Sequence, residues 1–423
     1  MRSHNRTPAY VLWLGPTGLT IVRALGRYGI PVVGLHHDPD EPATLSRYCR
    51  RTIMPRIEND EKAWLNFLLE EGSRIKPQRG VIFPAGDLHW LFLVKHRKAL
   101  EPYFRFALPE AENLEAWPGK LFQYAAASHA GIHMPRTFIP KDAEEVGALA
   151  KRVAYPCLLK PIFSHLSAQA GLRGKLLCVD TPEELLENWQ VGAKRGLELM
   201  IQEYIPGEDN QIYGLFSYLD KNSRPLSSGV SRKIRQFPPQ FGQASFSVSV
   251  SEPTVAQTGL RLLQAIRFHG ISSVEFKRDA RDGIFKFTEI NLRAPLLMAD
   301  VVDGGINLPV IAYRDLCGEP PVPLVGRLDH CKIVYFEDDY KTSLYYRRIG
   351  KLSWWSWIMT FFGRTREIYF AWDDLTPFVT YFRRWFWRWR HGSYRQKPEV
   401  AAIELGASWA ALRQEVGVTV NEA

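Results

Sequence analysis

The stretch FTEINLRAP, Phe287 to Pro295, carries Glu289, Asn291 and Arg293 at every second position. Residues i, i+2 and i+4 of a strand share a face. A carboxylate, an amide and a guanidinium therefore point one way, while Ile290 and Leu292 point the other way, toward a core. The segment before it, ISSVEFKRDARDGIFKF, completes a hairpin, with Gly283 where the turn needs a left-handed residue. If Arg281-Asp282-Gly283 form a three-residue loop, Glu275 faces Glu289 and Ser273 faces Asn291. Two partly buried carboxylates set opposite each other repel, and the arrangement persists when a cation lies between them. Oxygen ligands from two glutamates and an amide suit magnesium, which keeps waters and shares its remaining positions with phosphates. The plainer alternative is a solvated sheet face on which Lys277 or Arg293 pairs the carboxylates.

The elements that must position these groups can be read along the chain. AYVLWLGPTG, LTIVRALGRYG and IPVVGLHHD alternate strand, helix and strand, and VIFPAGD is a further buried strand that places Asp87 at its carboxyl edge. Together they predict a parallel α/β unit. GPTG has two glycines, Gly15 and Gly18, and falls short of the dinucleotide fingerprint, so a plain strand-to-helix turn is expected there. A helix follows around Lys120–His129. YPCLLKPIF is a strand with Lys160 in apolar surroundings, and LELMIQEYIPGED is a strand broken at Pro206-Gly207. QIYGLFSYLD and PLSSGVSRKI read as paired strands, and TVAQTGLRLLQAIRFHG as an amphipathic helix ended by Gly270.

In this order, the segments resemble the ATP-grasp superfamily of carboxylate–amine ligases, most closely its D-aspartate-ligase-like branch, over about residues 8 to 325. EINLR is similar to the family's E-x-N-x-R strand and VEFKRD to the metal strand before it. By that resemblance Glu275, Glu289 and Asn291 hold two magnesium ions, with manganese as a substitute, and Arg293 faces the transferring phosphate. Lys160 and, earlier in the chain, Lys120 match the family's nucleotide-contacting lysines. QEYIPGED resembles the hinge strand, which implies Glu203 and the backbone of Ile205 at adenine and Glu208 or Asp209 at the ribose. SRKIRQFPP resembles the loop that closes over the triphosphate, with Lys233 and Arg235 as its cations. The loop after Lys160, FSHLSAQAGLRGK, departs from the family by lacking a glycine pair. The implied fold is α/β: a Rossmann-like pre-ATP-grasp domain (1–115), a small α+β nucleotide-binding subdomain (116–205), a larger α+β subdomain with the metal site (206–330) and a basic, aromatic extension (331–423). The implied reaction phosphorylates a small-molecule or cell-envelope carboxylate with ATP, and an amine then attacks the acyl phosphate. A nicotinamide-dependent enzyme built on the N-terminal unit and a non-catalytic scaffold at a membrane surface are the alternatives.

Composition bounds these readings. The five cysteines are scattered, with no CxxC pair, which argues against a disulfide framework or a zinc site. No apolar run approaches the roughly 20 residues that span a bilayer, and no signal peptide is recognisable, so a cytoplasmic protein is expected. The net charge of +9 is matched by residues 341–397 alone, which carry 12 Lys/Arg against 3 Asp/Glu. Within that segment LSWWSWIMTFF is followed by Thr376-Pro377, an N-cap pair opening FVTYFRRWFWRWR. Helical spacing puts Phe378, Tyr381, Phe382, Trp385, Phe386 and Trp389 on one face, with Arg383, Arg384, Arg388 and Arg390 opposite. Such a helix either lies on an anionic membrane surface, making the protein peripheral there through 352–390, or packs its aromatics on the core. Nucleic acid is the least favoured partner, since no binding module accompanies the charge.

Overall fold

The structure is a computed structural model that describes residues 6–162, 176–296, 298–320 and 330–391. The loop after Lys160, with His165, Gly171 and Gly174, lies outside the described residues.

The short apolar runs at the N-terminus become β1 (Ala9–Leu12), β2 (Val32–His36) and β4 (Gly80–Pro84), buried almost throughout. With β3 (Arg50–Ile53) and β5 (Phe104–Arg105) they form a parallel sheet ordered β3-β2-β1-β4-β5. Helices on both faces account for the continuous hydrophobicity. The GPTG turn is shaped by Trp13, whose φ is +83°. A Cβ at Gly18 would lie 2.2 Å from the Trp13 carbonyl oxygen, and one at Gly15 would meet the indole at 2.7 Å. The two glycines make room for Trp13. Asp87 opens the helix Asp87–Lys95 at the carboxyl end of β4.

The small unit is an antiparallel sheet ordered β6-β9-β7-β8, from β6 (Thr137–Phe138), β7 (Cys157–Pro161), β8 (Leu177–Val179) and β9 (Leu199–Glu203). The helices Ala143–Ala150 and Pro182–Lys194 share a core with it, and each starts on a capping side chain, Asp142 or Thr181.

The large sheet contains β10 (Ile212–Leu219), β11 (Pro225–Phe237), β12 (Gln243–Val250), β13 (Gly270–Arg278), β14 (Phe285–Asn291), β15 (Lys332–Val334) and β16 (Thr365–Glu367), ordered β14-β13-β10-β11-β12-β15-β16. Its strands alternate between two cores. Leu215 and Val274 join the helix Pro253–Ala265, whereas Phe216 and Ile271 face the helix Leu308–Leu316 and the N-terminal unit.

Residues 330–391, read from the sequence as part of the basic, aromatic extension, join the large sheet and pack on the rest of the chain. β15 pairs with the outer edge of β12, and β16 runs parallel to β15, covering an edge that would otherwise be open. The fully buried Asp339 takes two bonds from Arg235, at 2.7 and 2.9 Å, and one from the Trp357 indole at 2.8 Å. On the other side the buried Arg23 donates to Asp374 at 3.0 Å and to the Tyr369 carbonyl at 2.6 Å. Arg235, expected among the triphosphate cations, is therefore a structural tie.

The helix Thr376–Arg390 begins one residue earlier than expected, with Leu375 rather than Thr376 as its N-cap. Its packed seam is Pro377, Phe378, Thr380, Tyr381, Arg384, Trp385 and Arg388, since these are its buried or half-buried positions. Two arginines thus lie inward, Arg384 on the Asp40 carbonyl and Arg388 on Glu337. Phe382, Phe386 and Trp389 stay exposed. Among the described residues no helix is long and apolar enough to cross a membrane.

Candidate active site

Glu275 and Glu289 are directly opposite each other across β13 and β14, and Ser273 faces Asn291. The register then slips between Glu275 and Phe276, so that Phe276 pairs with Phe287 and the hairpin closes through a longer turn than three residues. Thr288 occupies the bulge and donates its hydroxyl to the Glu275 carbonyl at 3.0 Å. Asp279 anchors the turn, with Lys286 at 2.6 Å and Arg281 bonded to both its oxygens. These cations hold its carboxyl well below the usual carboxylate range.

Each glutamate has its own lysine. Lys233 Nζ lies 2.9 Å from Glu275, and Lys120 Nζ lies 2.9 Å from Glu289. The cations that relieve the carboxylate repulsion are thus neither Lys277, which lies over the Tyr204 ring, nor Arg293. Lys120 is placed by its helix, Lys120–His129, which covers the open edge of β14. Gln123 brackets Ile290, donating to its carbonyl at 3.0 Å and accepting from its amide at 2.9 Å, and the Tyr124 hydroxyl donates to the Thr288 carbonyl at 3.0 Å. The Lys120 amide also donates to the Ile162 carbonyl at the end of β7, joining the small unit to the large one. Burial opposes the Lys120 charge, but Glu289, with Tyr124 and Glu275 behind it, more than offsets this and raises its pKa.

Lys160 reaches toward the same place from β7. Its Nζ donates to Gln202 Oε1 at 2.7 Å, and Gln202 Nε2 donates to Thr137 Oγ1 at 2.9 Å. Burial, together with the neighbouring Lys120 charge, lowers the Lys160 pKa to about 7. The next residue, Glu203, points elsewhere: its carboxylate accepts from the Arg136 amide at 3.0 Å and pairs with Arg281. Gln202, not Glu203, therefore shares the strand face of Lys160. Sequence reasoning passed over Gln202 because a one-residue slip in a strand exchanges its faces.

Ile205 is buried at the hinge, where the Pro206 carbonyl accepts from the Ala280 amide at 3.2 Å. Of the two ribose candidates, Glu208 is exposed and paired with Lys351 at 2.9 Å, beside an open cleft of about 510 Å³. Asp209 is buried and committed, accepting from Gln236 Nε2 at 2.8 Å, the Gln240 amide at 3.1 Å and the Tyr346 hydroxyl at 2.7 Å. Asn291 donates to Ser273 Oγ at 3.2 Å. Arg293 lies past the end of β14 and pairs with Asp87 at 2.9 Å, which joins the end of the glutamate strand to the carboxyl edge of the parallel sheet.

The donor set fits magnesium held with a polyphosphate. Two opposed carboxylates and one amide leave most of the coordination sphere to water and phosphate. Among the described residues no group of three His, Cys, Asp or Glu side chains forms a self-sufficient cage. Lys120, Lys160 and Lys233 surround the same carboxylates as ready partners for phosphate oxygens.

No protein-family model matches the chain. It is 26% identical over 288 residues to the D-aspartate ligase of Enterococcus faecium, an alignment that covers 65% of this chain and 68% of that protein. Among solved structures it resembles the biotin carboxylase domain of Hydrogenobacter thermophilus 2-oxoglutarate carboxylase, with a TM-score of 0.58, 18% identity and coverage of 75% of this chain and 71% of that one. It also resembles N5-carboxyaminoimidazole ribonucleotide synthetase from Thermus thermophilus, with a TM-score of 0.57, 17% identity and coverage of 77% and 82%. With its parallel N-terminal sheet, small antiparallel unit and large sheet carrying the paired glutamates, the chain has the ATP-grasp fold.

Proposed function

We propose that this protein is an ATP-dependent ligase that activates a small-molecule carboxylate as an acyl phosphate and joins it to an amine, releasing ADP and phosphate. The observation that carries the reading is the Glu275–Glu289 pair with Lys233, Lys120 and Lys160 gathered around it. An uncoordinated carboxylate pair on a sheet needs one or two counter-ions, whereas transfer of a γ-phosphoryl group needs this density of both signs of charge. The D-aspartate ligase relative and the neighbour solved with MgADP support the same chemistry.

Glu275, Glu289 and Asn291 would hold magnesium, which would supply charge neutralisation for the transferring phosphoryl group. When the nucleotide enters, Lys120 and Lys233 exchange their carboxylate partners for phosphate oxygens. Lys160, partly neutral before binding, takes up a proton as it meets the phosphates. Gln202 and the Ile205 backbone bound the adenine, and Glu208 rather than the committed Asp209 takes the ribose. Glu203 serves by fixing Arg281 and the Arg136 backbone beside the hinge. Arg293 meets the oxygens of the acid being phosphorylated, and Asp87 holds the guanidinium in place until the acid arrives.

The filled GPTG turn, in which both glycines accommodate Trp13, speaks against the nicotinamide alternative. Thermal shift with Mg-ATP, Mg-GTP and NADH tests the nucleotide. A ligand at a hundredfold excess over its Kd stabilises the folded state by about 2.7 kcal/mol. Stabilisation by Mg-ATP is expected, and stabilisation by NADH without Mg-ATP would refute the reading.

A further inference from the structure

The helix Thr376–Arg390 has two apolar sides, and only one is used by the fold. Leu375, Val379, Phe382, Phe386 and Trp389, spaced four, three, four and three residues apart, form a single stripe alongside the packed seam. Each is between 41% and 49% exposed. A solvated helix would carry polar residues there.

The stripe belongs to a wider surface. Thirteen of the eighteen exposed large hydrophobic side chains among the described residues lie between Ile349 and Trp389. The short helix Trp354–Met359 turns Trp357 inward and leaves Trp355, at 69% exposure, and Ile358 outside. Ring contacts link the two helices, from Phe382 to Trp385 at 5.4 Å, Trp385 to Tyr340 at 6.2 Å, Tyr340 to Trp357 at 6.2 Å and Trp357 to Trp354 at 5.4 Å. The two exposed patches are therefore joined by one aromatic floor.

We propose that this surface docks on an anionic phospholipid bilayer, lying in the interface without crossing it. Charge and composition select this occupant. The exposed Arg383 and Arg390 border the stripe, and residues 341–397 match the entire +9 net charge of the chain. Tryptophan and arginine side by side are suited to the headgroup layer, where an indole or phenyl ring meets acyl chains and a guanidinium meets phosphate. A second copy of the chain would instead bring like charges together. Because the seam beneath is already packed, docking requires no refolding. It holds the neighbouring large sheet at the bilayer, within reach of substrates presented there.

The test is co-sedimentation of the full chain with phosphatidylcholine vesicles, with and without phosphatidylglycerol, alongside the molar mass in solution. Binding to the anionic vesicles by a monomer is expected, weakened when salt shortens the Debye length from about 10 Å to about 3 Å. Arg383→Gln with Arg390→Gln should weaken it on the order of 30-fold, at about fivefold per basic residue. Phe382→Ser, Phe386→Ser and Trp389→Ser together should abolish it while circular dichroism and a cooperative thermal transition show that the fold is retained. Equal binding by either variant, equal binding to neutral vesicles, or no binding by the wild type would overturn the proposal. So would a dimer that the serine variant dissolves, because the stripe would then be a contact between copies.

Discussion

Glu289→Gln separates the catalytic reading of the glutamate strand from a purely structural one. Glu289 accepts from Lys120 at 2.9 Å, and the side chains of the pair are 31% and 10% exposed. At that distance and an effective dielectric of about 20, the gross attraction is roughly 6 kcal/mol, before the cost of removing Lys120 from water. Deleting one partner of a fully buried pair costs about 3–5 kcal/mol. Glu289 retains nearly a third of its exposure, so water can take over part of its role, and a loss of about 2 kcal/mol is expected. The substitution thus destabilises the metal-free protein, even though it removes repulsion with Glu275, because Lys120 is the more buried group. Lys120→Met restores an uncharged pair, so the double variant should recover at least half of the lost stability in urea unfolding. Ligase turnover should behave differently, falling at least ~10²-fold in the single variant and remaining lost in the double. Wild-type stability of Glu289→Gln would refute the ion pair, and recovery of turnover in the double variant would refute the catalytic role.

Lys160, with its pKa lowered to about 7, is largely neutral at pH 8. Phosphate oxygens favour its charged form, so Mg-ATP binding at pH 8 should take up close to one proton, and affinity should fall as pH rises above 7. Calorimetry in buffers of different ionisation heat measures this uptake, which Lys160→Met should abolish; its persistence in that variant would assign it elsewhere. Asp339→Ala leaves the buried Arg235 without its carboxylate and should destabilise the protein by roughly 3–5 kcal/mol, read by denaturant unfolding. A neutral result would mean that residues 330–391 are dispensable to the large unit.

The hairpin was legible because strand alternation and Gly283 together fix which residues share a face. Its bulge was not, since it depends on a Thr288 hydroxyl reaching a backbone carbonyl, which leaves no mark in the hydrophobic pattern. The lysine partners were harder still. Lys120 is 169 residues from Glu289, and only the packing of its helix on the edge of β14 brings the two together. Lys160 could be found from its apolar surroundings and the resemblance, whereas the choice between Gln202 and Glu203 hung on strand phase. The C-terminal helix misled for another reason. Periodicity finds one apolar face, but here a packed seam and an exposed stripe lie side by side, and the seam includes two arginines that the pattern places outside.

The central claim is that this glutamate strand supports phosphorylation of a carboxylate. The most direct measurement supplies the protein with Mg-ATP, candidate acids and hydroxylamine, and follows nucleotide products together with hydroxamate formation. The account predicts that an accepted acid yields ADP, phosphate and the matching hydroxamate, all lost in Glu289→Gln. Release of AMP and pyrophosphate, or undiminished turnover in that variant, would contradict it.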